Sequence, residues 1–219
     1  MKKMKLFAGI LVFGSLWGFS ECIIGSILHN AQLPAGAIMT GLFAIVLMTM
    51  SRMFYKQRGM QLGMGLVAGS LRLFSPFGEV PGYFICSAIA IVAEGFIFEL
   101  IWYKLSLDLK ELKPLTTSSS MGIITTYCCY ISGYIITQIL TPILSSAGFY
   151  LENLIVFIPQ ILASGLLAAV IGGMTVPAVL AMKKLDVTIK DRLYYPATIG
   201  ISVVCWFVVI ANTIILLYA

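Results

Sequence analysis

The stretch LFAGILVFGSLWGFSECIIGSIL, from Leu6 to Leu28, decides the fold class of this chain. It contains a single charged residue, Glu21, and it is longer than the roughly 20 apolar residues that a helix needs to cross a bilayer. It is too long and too rich in glycine for an ordinary secretory signal, and no convincing small-residue cleavage site follows it. We therefore expect it to remain in the protein as a membrane-spanning helix.

The composition of the whole chain agrees with a membrane protein. Of its 219 residues, 60% are hydrophobic and 11% are charged, whereas soluble domains average about 25% charged residues. Disorder is excluded, because it requires low hydrophobicity and high charge. Five cysteines are too few for a disulfide scaffold. Residues 1–219 are therefore predicted to form a single transmembrane helical domain, an all-α polytopic bundle.

Apolar runs of spanning length recur along the sequence and predict about seven transmembrane helices. The third run is the weakest, because it is short and contains Arg72. The predicted spans are Leu6–Leu28, Pro34–Phe54, Met60–Ser75, Gly82–Tyr103, Thr117–Ile143, Asn153–Met182 and Pro196–Tyr218.

The basic residues predict the orientation of the bundle. Thirteen of the fourteen Lys and Arg residues fall before span one or after spans two, four and six. The alternate connections, His29–Leu33, Pro76–Pro81 and Leu144–Glu152, contain none. Cytoplasmic loops carry an excess of Lys and Arg, so the pattern predicts a cytoplasmic N-terminus in the cell (inner) membrane. The net charge of +5 then marks a cytoplasmic face, and no nucleic-acid partner is expected.

Arg72 is the fourteenth basic residue and the one that breaks this pattern. An ionisable residue within a span is costly and indicates function by default. The expected site is an outward-facing polar pocket in which Arg72 anchors an anionic or polar group of a small solute. Two alternatives are a structural Arg–Glu pair and an arginine that reaches the outer headgroups. The candidate solute-binding residues are Trp17, Glu21, His29, Arg72, Glu79 and Glu94.

These residues have different expected tasks. Glu21 and Glu79 would orient Arg72 or bind the solute, and Trp17 would offer a stacking surface. His29, the only histidine, would cap the pocket. One histidine cannot make a structural zinc site, and no CxxC or HxxxH spacing occurs, so neither a metal site nor a cofactor is predicted. No glycine-rich GK[ST] loop is present for a nucleotide.

Small residues on span one form a second candidate surface. Gly14 and Gly18 have the GxxxG spacing, and Ala8 and Gly9 precede them. Such spacings let helix backbones approach closely inside a membrane. They indicate either packing within the bundle or docking of another membrane protein.

The small size, the short loops, the depth of the polar residues and these small residues resemble the substrate-binding component of an energy-coupling-factor transporter. The typical member has six helices, whereas seven are predicted here. The resemblance implies a bundle that binds a vitamin-like or metal-related solute in its outer half. It also implies that Ala8, Gly9, Gly14 and Gly18 contact a transmembrane coupling protein, which works with ATPase subunits.

Two other classes stay open. One is a structural or assembly subunit of a membrane complex, and the other is an intramembrane enzyme. Ser20, Glu21 and Cys22 are adjacent, but neighbouring residues on a helix point to different sides and do not form a catalytic group. An enzyme is therefore not expected. A retinal-binding protein would need a lysine in the last span, and none is present.

Overall fold

A computed structural model describes residues 2–74, 83–104, 115–144, 152–182 and 191–218 of the chain. Within these ranges the chain forms seven helices and no strand, which confirms the all-α bundle. The helices are α1 (Lys2–Asn30), α2 (Ala35–Phe54), α3 (Met60–Leu73), α4 (Tyr83–Lys104), α5 (Leu115–Leu144), α6 (Glu152–Ala181) and α7 (Asp191–Tyr218).

Six of the seven helices are long and apolar enough to cross a membrane. The exception is α3, whose 14 residues give a length of about 21 Å at 1.5 Å per residue. The hydrocarbon core of a bilayer is about 30 Å thick. The expected third span is thus a short helix, and Arg72 near its end lies below one surface of the bundle.

The first six helices form a closed ring. Around it, α1 packs against α3, α3 against α4, α4 against α5, α5 against α6, α6 against α2, and α2 against α1. Large side chains from several helices fill the interior, and Trp17, Met64 and Trp102 are fully buried there. The last helix, α7, lies outside this ring and packs on α1.

Glycines set how closely the helices of the ring approach. A Cβ atom at Gly41 of α2 would lie 2.7 Å from the carbonyl oxygen of Ala168 on α6. One at Gly95 of α4 would lie 2.6 Å from the carbonyl oxygen of Gln61 on α3. Both distances are too short for a real side chain, so these contacts are backbone to backbone, as expected where small residues pack membrane helices.

Contacts near the basic segments place several of them at one end of the bundle. The Tyr194 hydroxyl on α7 is hydrogen-bonded with Tyr55 after α2, and it also donates to the Lys5 carbonyl oxygen at 3.3 Å. The Arg52 guanidinium lies 3.6 Å from the centre of the Tyr103 ring at the end of α4. Burial and the bond with Tyr194 raise the pKa of Tyr55, so this hydroxyl stays neutral. A cytoplasmic location for this end remains a prediction.

Glu99 of α4 fixes the start of α3 at this same end. Its carboxylate accepts hydrogen bonds from the backbone N–H groups of Gly59 and Leu62, the latter at 3.1 Å. The first N–H groups of a helix have no partner within the helix, and a carboxylate also suits the positive end of the helix dipole. Glu99 therefore caps the start of α3 with its side chain.

Replacing Glu99 by alanine should lower the free energy of unfolding by about 1–2 kcal/mol, because two partly buried backbone donors lose their acceptor. Glu99→Gln retains one acceptor oxygen and should lose less. The measurement is the thermal midpoint of the purified protein in detergent. An alanine variant as stable as the natural protein would contradict the assigned cap.

Candidate functional site

Arg72 lies in the last turn of α3 and is buried, with 6% of its surface exposed. Its Nε–H donates a hydrogen bond to Ser87 Oγ on α4 at 3.1 Å. Its Nη1 is buried without a hydrogen-bond partner among the described residues. The guanidinium therefore has a donor available within the bundle, and the predicted alternative of an arginine that reaches the headgroups does not match this burial.

Close packing of α3 against α4 brings the guanidinium to Ser87. A Cβ atom at Gly69 of α3 would lie 3.0 Å from the carbonyl oxygen of Ala88 on α4. One at Gly65 would lie 3.1 Å from the carbonyl oxygen of Ile91. The glycines let the α3 backbone approach α4 closely, and this approach sets the reach of the Arg72 side chain.

Glu21 of α1 is partly buried, and its carboxylate interacts electrostatically with Arg72. The indole N–H of Trp17 donates to Glu21 Oε1 at 3.3 Å across one helical turn. Trp17 itself is fully buried among the core side chains. In this structure the tryptophan orients Glu21, which in turn faces the arginine; the stacking surface expected of Trp17 stays a prediction.

Glu94 of α4 is the second buried charged residue, with 5% of its surface exposed. Its Oε1 accepts a hydrogen bond from Thr40 Oγ1 of α2 at 2.7 Å, whereas Oε2 is buried without a hydrogen-bond partner among the described residues. Gly133 of α5 makes room for this carboxylate, since a Cβ atom there would lie 3.3 Å from Glu94 Cγ. Glu94 also interacts electrostatically with Glu21.

Thr40 belongs to a π-helical segment, Met39–Ala44, inside α2. Such segments are rare, and they occur frequently at functional sites. A Cβ atom at Gly25 of α1 would lie 3.7 Å both from Glu21 Oε2 and from Met39 Cγ, the residue before Thr40. Glu21, the π segment and Glu94 are therefore contiguous in space.

The residues described above, Arg72, Ser87, Glu21, Thr40 and Glu94, form one polar cluster. The positions of Ser87 and Glu94 on α4 show how far this cluster extends along the helix. They are seven residues apart on α4, so they share one face of the helix and differ in depth by about 10 Å. Arg72 is bonded at the Ser87 level, and Thr40 at the Glu94 level. Within the described part of the chain, the cluster thus has a donor without a partner at one depth and an acceptor without a partner at another, and Glu21 interacts with both charges.

The other two predicted solute residues are His29 and Glu79. His29 is exposed near the end of α1, eight residues after Glu21 and so about 12 Å farther along the helix. Glu79 lies outside the described residues. Sequence reasoning missed Thr40 and Ser87, because a single hydroxyl residue in an apolar run carries no signal of its own.

The small residues of α1 have a place within the bundle. A Cβ atom at Gly14 would lie 2.7 Å from Val67 Cβ, and one at Gly18 would lie 2.9 Å from Leu71 Cβ, both on α3. Gly9 is covered by the Tyr55 ring. In this structure three of the four predicted partner residues serve internal packing, and Ala8 lines a groove between α1 and α7.

Comparison with protein-family models, with curated proteins and with solved structures finds no match. In the part of the chain that the structure describes, no group of three or more His, Cys, Asp or Glu side chains could hold a metal ion. The polar groups of the cluster are charged and hydroxyl side chains. They can bind and orient a polar molecule through one guanidinium and two carboxylates.

Proposed function

We propose that this chain is a membrane transport protein that binds a small solute inside the bundle at Arg72, Glu21 and Glu94. The observation that carries the proposal is a pair of buried atoms, Arg72 Nη1 and Glu94 Oε2, that have no hydrogen-bond partner among the described residues. Leaving a buried donor or acceptor unpaired costs about 1–3 kcal/mol, and more for charged groups. A solute that pairs both atoms removes this cost, so the site favours occupancy.

The two free atoms define the polar groups of the solute. Arg72 Nη1 requires an acceptor, and an anionic oxygen forms the stronger, charge-assisted bond. Glu94 Oε2 accepts, so the solute needs an N–H, O–H or ammonium group facing it. Glu21 holds the guanidinium in place, and Ser87 fixes its Nε–H. The proposed roles of Trp17 and His29 are to orient Glu21 and to cap the site.

Transport by this chain requires a partner or an ion gradient, because its short connections leave no room for a nucleotide-binding domain. We propose a transmembrane coupling protein with ATPase subunits, on the resemblance to substrate-binding components of energy-coupling-factor transporters. The location proposed is the cell (inner) membrane.

Native mass spectrometry of the protein purified from its own membranes tests the proposal. We expect a discrete small-molecule adduct that is released on denaturation and that carries both an acceptor and a donor group. Reconstituted protein with the coupling subunits should then accumulate this molecule in vesicles. A protein that is empty and co-purifies only as part of a stable complex would instead indicate the structural-subunit class.

A further inference from the structure

A groove lies between the first turns of α1 and the start of α7, with a volume of about 390 Å³. Its walls are almost entirely apolar, and they include Phe7, Ala8, Leu11 and Ile199. The Thr198 hydroxyl, which also lines it, already donates to the Tyr195 carbonyl oxygen at 2.9 Å. The groove therefore offers an apolar surface to a ligand, because the Thr198 hydroxyl is already hydrogen-bonded.

Basic residues are concentrated in the first turns of the two helices that form this groove. Lys2, Lys3 and Lys5 lie in the first turn of α1, and Arg192 lies in the first turn of α7, where Asp191 is the one acidic residue. The Tyr194 hydroxyl, bonded to the Lys5 carbonyl oxygen, holds the two helix starts together. These four basic residues, here called the basic cluster, thus belong to the two helix starts beside one acidic residue.

The depth of the groove fits one leaflet of a bilayer. From Met4 to Leu11 α1 rises about 10 Å, whereas one leaflet contributes about 15 Å of hydrocarbon. The basic cluster then lies at headgroup level, where anionic lipids of the cytoplasmic leaflet attract Lys and Arg. The side chains of Phe7 and Ile199 are exposed, 63% and 61%, and thus available to an acyl chain.

We propose that the groove between α1 and α7 is a specific site for an anionic phospholipid. One acyl chain lies along Phe7, Ala8 and Ile199, and the phosphate lies against the basic cluster at the two helix starts. The lipid adds apolar contact where α7 meets the ring. This inference does not depend on the solute site, which lies near Arg72 and Glu94.

The test compares two lipids of the same acyl chains, palmitoyl-oleoyl phosphatidylglycerol and palmitoyl-oleoyl phosphatidylcholine, by native mass spectrometry of the detergent-solubilised protein. We expect tighter retention of the anionic lipid. Each Lys→Gln replacement at Lys2, Lys3 or Lys5 should weaken it about fivefold. Matched controls at the same end, Lys56→Gln and Arg58→Gln, should change it far less.

Two groove-filling variants test the acyl-chain contact. Ala8→Phe should lower retention of both lipids, and Ile199→Trp does the same from the opposite wall should Ala8→Phe fail to fold. Leu166→Trp, at an equally exposed position on α6, is the control and should retain the lipid. Equal retention of the two lipids by the natural protein would overturn the proposal. So would unchanged retention in Ile199→Trp, or control variants that weaken binding as much as the test variants.

Discussion

A protein in which methionine replaces Arg72 is expected to be purified without its solute. The guanidinium supplies the unpartnered donor of the cluster, and methionine fills much of the same volume without any donor. A lost hydrogen bond to a charged group costs about 1.5–3 kcal/mol, which is a tenfold or larger loss of affinity. The measurement is the molar ratio of solute to protein after extraction and mass spectrometry. Arg58→Met, at an exposed residue before α3, is the control and should keep the solute.

The same replacement should also destabilise the protein, since it leaves the carboxylate of Glu21 without the cation with which it interacts. Removing one partner of a fully buried ion pair costs about 3–5 kcal/mol, and the loss at the partly buried Glu21 should be smaller. The double variant Arg72→Met with Glu21→Gln also removes the Glu21 charge and should recover much of that stability. It should still lack the solute.

These outcomes separate the two readings of the cluster. If Arg72 serves only as a structural ion pair, the double variant recovers both stability and any bound molecule. If it binds the solute, stability returns and the solute does not. Unchanged solute content in the single variant, together with a lower thermal midpoint, would contradict the proposed site.

Much of the fold follows from the distribution of apolar and charged residues. The runs of apolar residues predicted the helices, and the structure confirms the all-α bundle with six long helices. Arg72, the basic residue that breaks the charge pattern of the sequence, is buried in the structure. These features are local or additive, because the length and the hydropathy of each segment decide them without knowledge of its neighbours.

The partners of the charged residues could not be predicted in the same way. Thr40 meets Glu94 across 54 positions of sequence and through a π-helical segment. That segment departs from the regular helical hydrogen-bond pattern, and nothing in its sequence marks the departure. The sequence led us to expect that Glu21 orients Arg72, but it did not indicate that Ser87 would accept the hydrogen bond from the Arg72 Nε–H.

The environment of Trp17 could also be predicted only in part from the sequence. Sequence placed it at the right depth, one turn from Glu21, and suggested an aromatic surface for the solute. In the structure its ring packs among core side chains of several helices and its N–H bonds Glu21. Whether an aromatic side chain faces a cavity or the core depends on which helices are adjacent, and spacing along a single helix does not define this.

Replacing Glu94 by glutamine is expected to weaken solute binding about tenfold or more while leaving the fold intact. Glutamine has nearly the same size, and its Oε1 can still accept the bond from Thr40 Oγ1. At the second position an NH₂ donor replaces Oε2, the unpartnered acceptor. A solute N–H or ammonium that faces Oε2 would then meet another donor, and the lost charge-assisted bond is worth about 1.5–3 kcal/mol.

The measurement for Glu94→Gln is the dissociation constant by isothermal titration of solute-free protein with the molecule that mass spectrometry identifies. Glu99→Gln makes the same chemical change on the same helix at the α3 cap, so its affinity for the solute should stay within about twofold of the natural protein. The thermal midpoint of Glu94→Gln without solute should match that of the natural protein, because the Thr40 bond is kept. Tighter binding by Glu94→Gln would show that the solute presents an acceptor to this position, and equal binding would remove Glu94 from the site. Either result would leave Arg72 and Glu21 as the groups that define the solute.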